Sequence, residues 1–488
     1  MRRSDGTVGT IDAQRTPQAR KVWTLVLASL GVFMTALDTL VVTTALPSIR
    51  ASLHGSLSDL EWTVNAYNLA FACSLLTGAA LGDRFGRRRM FCIGLGVFTV
   101  ASVGAALAPS VGTLILARAV QGTGAAMVMP LTLTLISGAF PAHQRGMAIG
   151  LWGGITGLAV AAGPIVGGAV VQGISWHWIF WLNVPIGLVL IPLAALRLTE
   201  SFGPRPRLDG LGLVLAGAGF LGMTWGLVRA TTVGWASSEV LGSIALGAAL
   251  VVAFLLWERR TPSPMLSLGM FRQRSFAASN AVSFLMYAGL FGALFLMSQF
   301  FQTAQHHTPL QTGLRLLPWT GAPMIVAPIA GKLADRYGNR PFMAMGMLLQ
   351  AVGLGWLAAI ANAHSGYLEV GAALTVAGIG ISLVFPTVSN EVISSVPGEE
   401  VGVASGTNSA IRELGGVFGV AVLATVFTRT GVYTSPAIFA DGFRAALWVA
   451  TAFSAVGVIA ALAVTRKTRA AEDPSRIVLT PVFADATS

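Results

Sequence analysis

Residues 79–89 read AALGDRFGRRR, and a similar stretch returns at residues 331–341 as GKLADRYGNRP. The identical pairs stand at one constant spacing and are Leu81/Leu333, Asp83/Asp335, Arg84/Arg336, Gly86/Gly338 and Arg88/Arg340. Each copy is a short charged segment between two long apolar stretches. A segment that recurs half a chain apart indicates that the chain consists of two similar halves.

The composition around these loops is that of a membrane protein. The 488 residues are 54% hydrophobic and only 10% charged, whereas soluble domains carry about 25% charged residues. Several apolar windows exceed the length of about 18 residues that marks a spanning helix. The sequence therefore predicts an all-α integral membrane protein, and its net charge of +11 is expected to set membrane topology rather than to bind nucleic acid.

Apolar runs between breakers predict fourteen transmembrane helices. Six precede residue 197, two lie near 209–228 and 238–257, and six follow residue 275, including one near 313–331. Lys and Arg concentrate in alternate loops, which predicts that these loops and both termini are cytoplasmic. Further matches between the halves, such as Gly124 with Gly380 and Gly163 with Gly419, leave the pair at 209–257 without a counterpart.

The predicted organisation follows from this repeat. It comprises a cytoplasmic tail at 1–21, an N-terminal six-helix bundle at 22–196, linkers with two inserted transmembrane helices at 197–275, a C-terminal six-helix bundle at 276–464, and a second cytoplasmic tail at 465–488. Paired six-helix halves are typical of transporters whose site lies between the repeats.

Motifs for enzymatic chemistry and for cofactor or metal binding are missing from the sequence. Gly331-Lys332 lacks both the preceding glycine and the following Ser/Thr of a phosphate-binding loop, and Cys73 and Cys92 do not have metal-site spacing. We therefore expect no catalytic residues, no metal and no cofactor. The expected energy source is a proton gradient, because one charge crossing 100 mV supplies about 2.3 kcal/mol.

Two charges inside apolar segments are the candidates for proton coupling. Asp38 lies within the first predicted span and Arg118 within the fourth. A carboxylate in the membrane is costly unless it faces the protein interior or is protonated, and Arg118 could be its counter-charge. The alternative is that Asp38 lies near the outer end and makes a structural hydrogen bond, while Arg118 only holds helices together.

Further residues are candidates for conformational change and substrate contact. The repeated loops predict a conformational latch, with membrane-surface anchoring as the alternative; its residues are Asp83, Arg84, Gly86, Arg87, Arg88, Asp335 and Arg336. Glycines in the fifth span predict close helix approach and gating, with packing alone as the alternative; the motif residues are Gly150, Gly163, Pro164, Gly167 and Gly168. Candidate cavity polar residues, which could instead join helices, are Asn65, Tyr67, Gln121, Asn280, Tyr287, Arg412 and Glu413.

These motifs together resemble the major facilitator superfamily, and more closely its fourteen-span drug:proton antiporter branch. The loop motif is matched by Gly82–Arg88, with Ala79 in place of the leading glycine, and the first-span motif by Leu37, Asp38, Thr39, Ala45, Leu46 and Pro47, with Thr43 where asparagine is usual. The span-four motif is matched by Arg118, Gln121, Gly122 and Gly124, and the span-five motif by its glycines and Pro164. The resemblance implies a major-facilitator-type fold of two six-helix bundles plus two inserted helices.

The same resemblance implies proton-coupled export of drugs or antibiotics by alternating access in a bacterial plasma membrane. Asp38 and Arg118 would then take the proton-linked roles. The expected partners are a small-molecule substrate, protons and the lipid bilayer, with the protein as a monomer. Alternatives are an exporter dedicated to one natural product or metabolite, a proton-coupled importer of the same superfamily, and a membrane sensor or scaffold that transports nothing.

Overall fold

A computed structural model describes residues 17–54, 57–203, 209–261, 268–431 and 435–465, and within these ranges the chain is helical. The first half contains α1 (Pro17–Leu53), α2 (Leu57–Phe85), α3 (Arg87–Ala106), α4 (Val111–Ala139), α5 (Ala142–Gly173), the short α6 (Trp178–Trp181) and α7 (Asn183–Arg197). Two further helices follow, α8 (Gly210–Val233) and α9 (Ser238–Glu258). The predicted terminal tails lie almost entirely outside the described residues.

The second half repeats the pattern of the first. It contains α10 (Arg274–Gln299), α11 (Pro309–Thr320), α12 (Ala322–Tyr337), α13 (Arg340–Ile360), α14 (Tyr367–Ser394), α15 (Val401–Thr430) and α16 (Pro436–Leu462), with a π-helical turn at Phe300–Ala304 after α10. The loops at Gly86 and Gly338 adopt positive φ angles of 106° and 85°. These two repeated glycines therefore make the same turn, one that side chains larger than glycine rarely adopt.

Among the described residues, thirteen helices are long and apolar enough to cross a membrane. The prediction of one continuous span near 313–331 is wrong. The chain there forms two shorter helices, α11 and α12, which meet at Gly321. Pro318 and Pro323 lie on either side of this junction, and a proline cannot supply the backbone N–H that a continuous helix requires. The prolines account for the break.

The exterior of the bundle is apolar, as a bilayer requires. Large hydrophobic side chains such as Val100, Leu116, Ile325 and Leu368 are between 66% and 87% exposed. A surface of this kind would be unstable in water but matches lipid tails. The described chain is therefore a multi-pass membrane protein.

The core extends through both halves. One hydrophobic cluster includes Trp152 and Leu131 from the first half together with Met286 and Phe385 from the second. The Trp152 and Phe385 rings stack with centroids 5.4 Å apart. Smaller clusters lie within each half, so the meeting surface of the halves is part of the core.

The additional helices α8 and α9 form a close pair beside the two halves. A methyl group added at Gly222 would lie 3.0 Å from Cα of Gly247, which shows how closely the two backbones approach. Helix α8 also contacts α2 of the first half and α15 of the second. The inserted pair thus lies across the lateral seam between the halves.

Candidate functional site

Asp38 and Arg118 form a buried ion pair between α1 and α4. Their side chains are each about 1% exposed or less, and Arg118 Nη1 donates to Asp38 Oδ2. The sequence predicted both residues, and the fold brings them together across 80 positions of chain. A buried pair of this kind is stable only when further hydrogen bonds satisfy both partners.

Three neutral side chains complete this network. Asn183 Nδ2, at the start of α7, donates to Asp38 Oδ1 at 2.7 Å, and Gln121 Nε2 donates to the same oxygen at 3.3 Å. Gln121 also donates to Ser102 Oγ at 2.7 Å and accepts from Arg118 Nη1 at 2.9 Å. The structure thus places Gln121 in the charge network, although the sequence predicted it only as a cavity residue.

The Asp38 carboxylate is surrounded by donors alone. Arg118, Asn183 and Gln121 all donate to it. A protonated Asp38 would present an O–H to these donors, so Arg118 would have to move away or an amide of Asn183 or Gln121 would have to turn its oxygen toward the carboxyl group. Protonation therefore has to break part of the network. Because it removes the negative charge of Asp38, it removes the attraction between Asp38 and the Arg118 guanidinium.

Arg118 is held on its other side by α2 and by aromatic rings. Its Nε donates to the backbone oxygen of Thr63 at 3.3 Å. The guanidinium lies 4.3 Å from the Tyr67 ring centroid and 6.0 Å from that of Phe180. The Tyr67 ring therefore lies against Arg118, so that an arginine released from Asp38 would keep contacts on α2.

The network lies nearer the end of the bundle opposite the repeated loops. Arg118 lies within the first two turns of α4, and Asn183 is the first residue of α7. This position agrees with the sequence-based alternative that placed Asp38 near the outer end. Asp38 accepts hydrogen bonds from three different side chains, so it makes more than a single structural bond.

The opposite end of the bundle carries the arginine-rich loops after α2 and α12 and is here called the basic end. At this end, Asp335 joins the two halves. Its Oδ1 accepts from the backbone N–H of Gly146 at 2.9 Å, and its Oδ2 accepts from that of Met147 at 3.0 Å. Both donors lie in the second turn of α5, as its fifth and sixth residues. A carboxylate is favoured near this end because the helix dipole is positive at the N-terminus.

Asp83 makes the corresponding contact from the first half to the second. Its carboxylate lies against Gly402 in the first turn of α15, so closely that a side chain at Gly402 would overlap it. Gly402 corresponds to Gly146 in the repeat. Asp83 also forms an ion pair with Arg87 at 2.8 Å. The two aspartates of the repeated loop therefore each reach the helix N-terminus of the opposite half.

Glu200 reinforces the first loop and was missed in the sequence. Its carboxylate oxygens accept from the backbone N–H groups of Arg88 at 2.9 Å and Arg89 at 3.2 Å. Arg88 Nη1 in turn donates to the backbone oxygen of Ala195 at 3.2 Å. A methyl group at Gly86 would lie 2.6 Å from the Glu200 carboxyl carbon. The only sequence signal for this contact was an acidic residue in a basic linker.

Two predicted latch residues lie outside this contact. Arg84 and Arg336 are exposed, and their guanidinium groups lie over the rings of their neighbours Phe85 and Tyr337, at 5.0 and 5.3 Å from the centroids. For these two residues, membrane-surface anchoring stays the alternative prediction. The inter-half contacts are carried by the aspartates.

The glycines of α5 serve two different neighbours. A methyl group at Gly150 would lie 2.5 Å from the backbone oxygen of Ala327 in α12, whereas one at Gly163 would lie 2.6 Å from Cβ of Leu40 in α1. A methyl group at Gly168 would meet no atom within 4 Å. Gly167 lies on the same helix, and the side chain of Pro164 lies outside the described residues. Close approach is thus concentrated at Gly150 and Gly163.

Arg412 lies fully buried where the halves meet. Its guanidinium lies 5.2 Å from the Tyr287 centroid and 5.3 Å from the Phe385 centroid. Glu413 and Asn65 are half-buried. Asn280 accepts from Asn408 at 3.1 Å and donates to the backbone of Phe276 at 2.9 Å, so it joins helices within the second half, as the alternative prediction held.

Comparison with known sequences places these features in a wider group. The sequence profile described as Major Facilitator Superfamily matches residues 28–420 and, in a second match, 279–484. The tetracenomycin C resistance and export protein of Streptomyces glaucescens is 36% identical over 84% of this chain and 76% of its own length. The puromycin resistance protein of Streptomyces alboniger is 33% identical over 95% of both chains. The multidrug efflux pump LfrA of Mycolicibacterium smegmatis is 36% identical over 86% of this chain and 83% of its own.

Solved structures share the same fold at much lower sequence identity. The proton:xylose symporter XylE superposes with a TM-score of 0.67 at 15% identity, covering 91% of this chain and 95% of that one. The human organic anion transporter MFSD10 superposes with a TM-score of 0.65 at 12% identity, covering 90% of this chain and 99% of that one. These likenesses concern the fold alone.

Proposed function

The chain belongs to the major facilitator superfamily, and on this basis we propose that it exports drugs or antibiotics across a bacterial plasma membrane in exchange for protons. The relatives named as resistance and export proteins support the export of drug-like molecules. The observation that carries the proton coupling is the buried network of Asp38, Arg118, Gln121 and Asn183, because its only acidic group cannot be protonated without losing a bond.

The proposed coupling works through Arg118. When Asp38 is ionised, Arg118 ties α4 to α1, and Asn183 ties α7 to α1. A proton on Asp38 releases Arg118 toward Thr63 and Tyr67 of α2. The pairing among α1, α2, α4 and α7 changes with that proton, and such a shift can favour one orientation of the halves over the other.

The two aspartate contacts at the basic end provide the second part of the mechanism. With Asp335 on α5 and Asp83 against α15, the halves are closed at this end. We infer that this end faces the cytoplasm, as the loop charges predict, so the contacts hold the cytoplasmic side shut. Substrate loading then requires both contacts to open, and the two halves rock about the central surface.

A growth experiment tests this proposal. The full chain is produced in an efflux-deficient bacterial host, and a panel of antibiotics and dyes is applied with and without a protonophore. The proposal expects raised resistance to at least one compound and loss of that compound's efflux when the protonophore is present. Resistance that persists in full with the protonophore would contradict proton coupling.

The importer remains the second candidate and is separated by direction. In everted vesicles, an exporter accumulates the compound when the lumen is acidic, whereas a proton-coupled importer does not. An exporter dedicated to one natural product would protect against a single compound of the panel. The close packing of Gly150 and Gly163, which matches the span-five antiporter motif, supports export.

A further inference from the structure

Arg412, like Arg118, is less than 2% exposed, and the described part of the chain shows no ion pair between it and an acidic residue. It is 0% exposed, eleven residues into α15. At about 1.5 Å of rise per residue, this places it near the middle of the membrane. Its Nε and Nη1 atoms are buried without a hydrogen-bond partner among the described residues, and Nη2 makes only a 3.7 Å contact with the Met129 sulfur.

The contrast with Arg118 shows how unusual this is. Arg118 has a carboxylate, a side-chain amide oxygen and a backbone oxygen as acceptors. Arg412 has only weak partners, the sulfur of Met129 and the faces of two rings. The face of an aromatic ring attracts a cation that lies over it. The N–H groups of a guanidinium, however, lie in the plane of the guanidinium itself and need oxygen acceptors. Aromatic contact therefore leaves its hydrogen-bonding capacity unused.

Residues of both halves surround Arg412. Met129 belongs to α4 of the first half, whereas Tyr287 and Phe385 belong to α10 and α14 of the second. Trp152 of α5 stacks on Phe385, with the planes 9° apart. When the halves separate, the guanidinium is uncovered beside three large aromatic side chains. These residues are here called the Arg412 pocket: Met129, Trp152, Tyr287, Phe385 and Arg412.

We propose that the Arg412 pocket binds the anionic group of an aromatic substrate, with the guanidinium pairing to a carboxylate or similar oxyanion and the rings stacking on the substrate's planar body. This inference rests on the proposed export function and names the substrate class for it. Guanidinium forms two parallel bonds with a carboxylate, which satisfies the donors that are unpaired in the protein. The aromatic faces add stacking contact in a desolvated site.

Glu413 supplies the competing possibility at the same level of the membrane. It is half-buried, and adjacent helix positions point about 100° apart. The two charges are nevertheless close enough to act on each other and on Tyr287, although no ion pair joins them among the described residues. If Glu413 rather than Arg412 selected the substrate, an aromatic cation would be preferred, and this is a measurable outcome.

The test compares three ligands with one aromatic body. The purified full-length protein in lipid nanodiscs is titrated with 9-anthracenecarboxylate, 9-anthracenemethanol and 9-(aminomethyl)anthracene, and binding is followed by anthracene anisotropy against empty nanodiscs. We expect the carboxylate to bind at least tenfold more tightly than the ammonium compound. Equal binding of the three, no binding, or preference for the ammonium compound would overturn the inference.

Variants then separate recognition from packing. Arg412→Gln is expected to weaken the carboxylate at least tenfold and the other two ligands less than twofold, while Arg412→Lys retains part of the preference. Arg429→Gln, an exposed arginine of the same helix, serves as the control and changes nothing. Equal weakening of all three ligands by Arg412→Gln would indicate a packing role and overturn the inference. If that variant does not fold, the wild-type preference and Arg412→Lys decide.

The two proposals fail in different ways. Asp38→Asn is expected to keep the anthracene preference while losing protonophore-sensitive efflux. If the wild-type protein shows no preference for the anthracene carboxylate while its efflux is sensitive to the protonophore, the Arg412 inference alone is overturned. A preserved preference with efflux insensitive to protonophore would overturn the proton coupling alone.

Discussion

At the residue scale, Asp38 is defined by what surrounds it. Its neighbour Arg118 could be anticipated from the sequence, because a charge in an apolar segment needs a partner, whereas Gln121 was predicted only as a cavity residue. Asn183 and Ser102 could not be anticipated, since each is a common polar residue whose role depends on the folding of α3 and α7 against α1. Sequence reasoning therefore found the charged pair and missed the neutral donors that fix its geometry.

The role of Asn183 can be separated from ordinary packing. Asn183→Ala removes the 2.7 Å donor to Asp38, a loss of about 1–3 kcal/mol of stability. Because Asn183 is one of the three donors that hold the Asp38 carboxylate, we expect the pH profile of export to differ from that of the wild type. The measurement is export rate against pH in vesicles.

Asn408→Ala is the matched control for that change. Asn408 is also buried and donates to Asn280 at 3.1 Å and Ser283 at 2.8 Å within the second half, away from the Asp38 network. Its alanine variant is expected to lower the unfolding temperature similarly but to leave the pH profile unchanged. An unchanged profile for Asn183→Ala would remove this residue from the coupling network.

At the scale of the elements, α5 makes contact with both halves. Toward the basic end it lies against α12, through Gly150, and toward the other end it lies against α1, through Gly163 and Leu40. The glycine pattern in the sequence predicted close approach, but not which helices approach. The break between α11 and α12 was not predicted either, although Pro318 and Pro323 are visible in the sequence, because the whole apolar run was interpreted as one span.

Two glycines of the α5 motif, Gly163 and Gly168, give a matched pair of substitutions. Gly163→Ala places a methyl group 2.6 Å from Leu40 Cβ and is expected to cost about 1–3 kcal/mol through overpacking. Gly168→Ala meets nothing within 4 Å and is expected to be neutral. Unfolding temperature and export rate are measured for both. Equal effects of the two variants would contradict the assignment of close packing to Gly163.

At the scale of the whole molecule, the two copies of the repeated charged loop, at residues 79–89 and 331–341, each make contact with the opposite half. The sequence predicted two similar halves and a latch, since the same charged loop occurs twice. It could not predict that each aspartate lies against a helix of the opposite half near the start of that helix, because the pairing of Asp335 with Gly146 and Met147 spans nearly 190 positions. Contacts of this range are fixed only by the assembled fold.

Weakening one latch should open the basic end. Asp335→Asn removes the charge that two helix N–H groups share, and hydrogen bonds to charged groups contribute about 1.5–3 kcal/mol each. We expect spin labels at Phe85 and Tyr337, both exposed, to show a population at longer distance. The labels are introduced after replacement of Cys73 and Cys92.

Glu391→Gln is the control for the latch variant. Glu391 accepts from Asn339 at 2.7 Å within the second half, so its loss should leave the distance between the halves unchanged. If Asp335→Asn gives the wild-type distance distribution, the contact with α5 is not a latch.

The central claim is that a proton on Asp38 drives export, and everted vesicles test it most directly. Vesicles with an acidic lumen and an alkaline exterior are supplied with the compound against which the chain protects cells, and its accumulation is followed over time. We predict accumulation for the wild type and for Asp441→Asn, whose carboxylate is exposed, and none for Asp38→Asn at equal protein level. Wild-type accumulation by Asp38→Asn would contradict the claim.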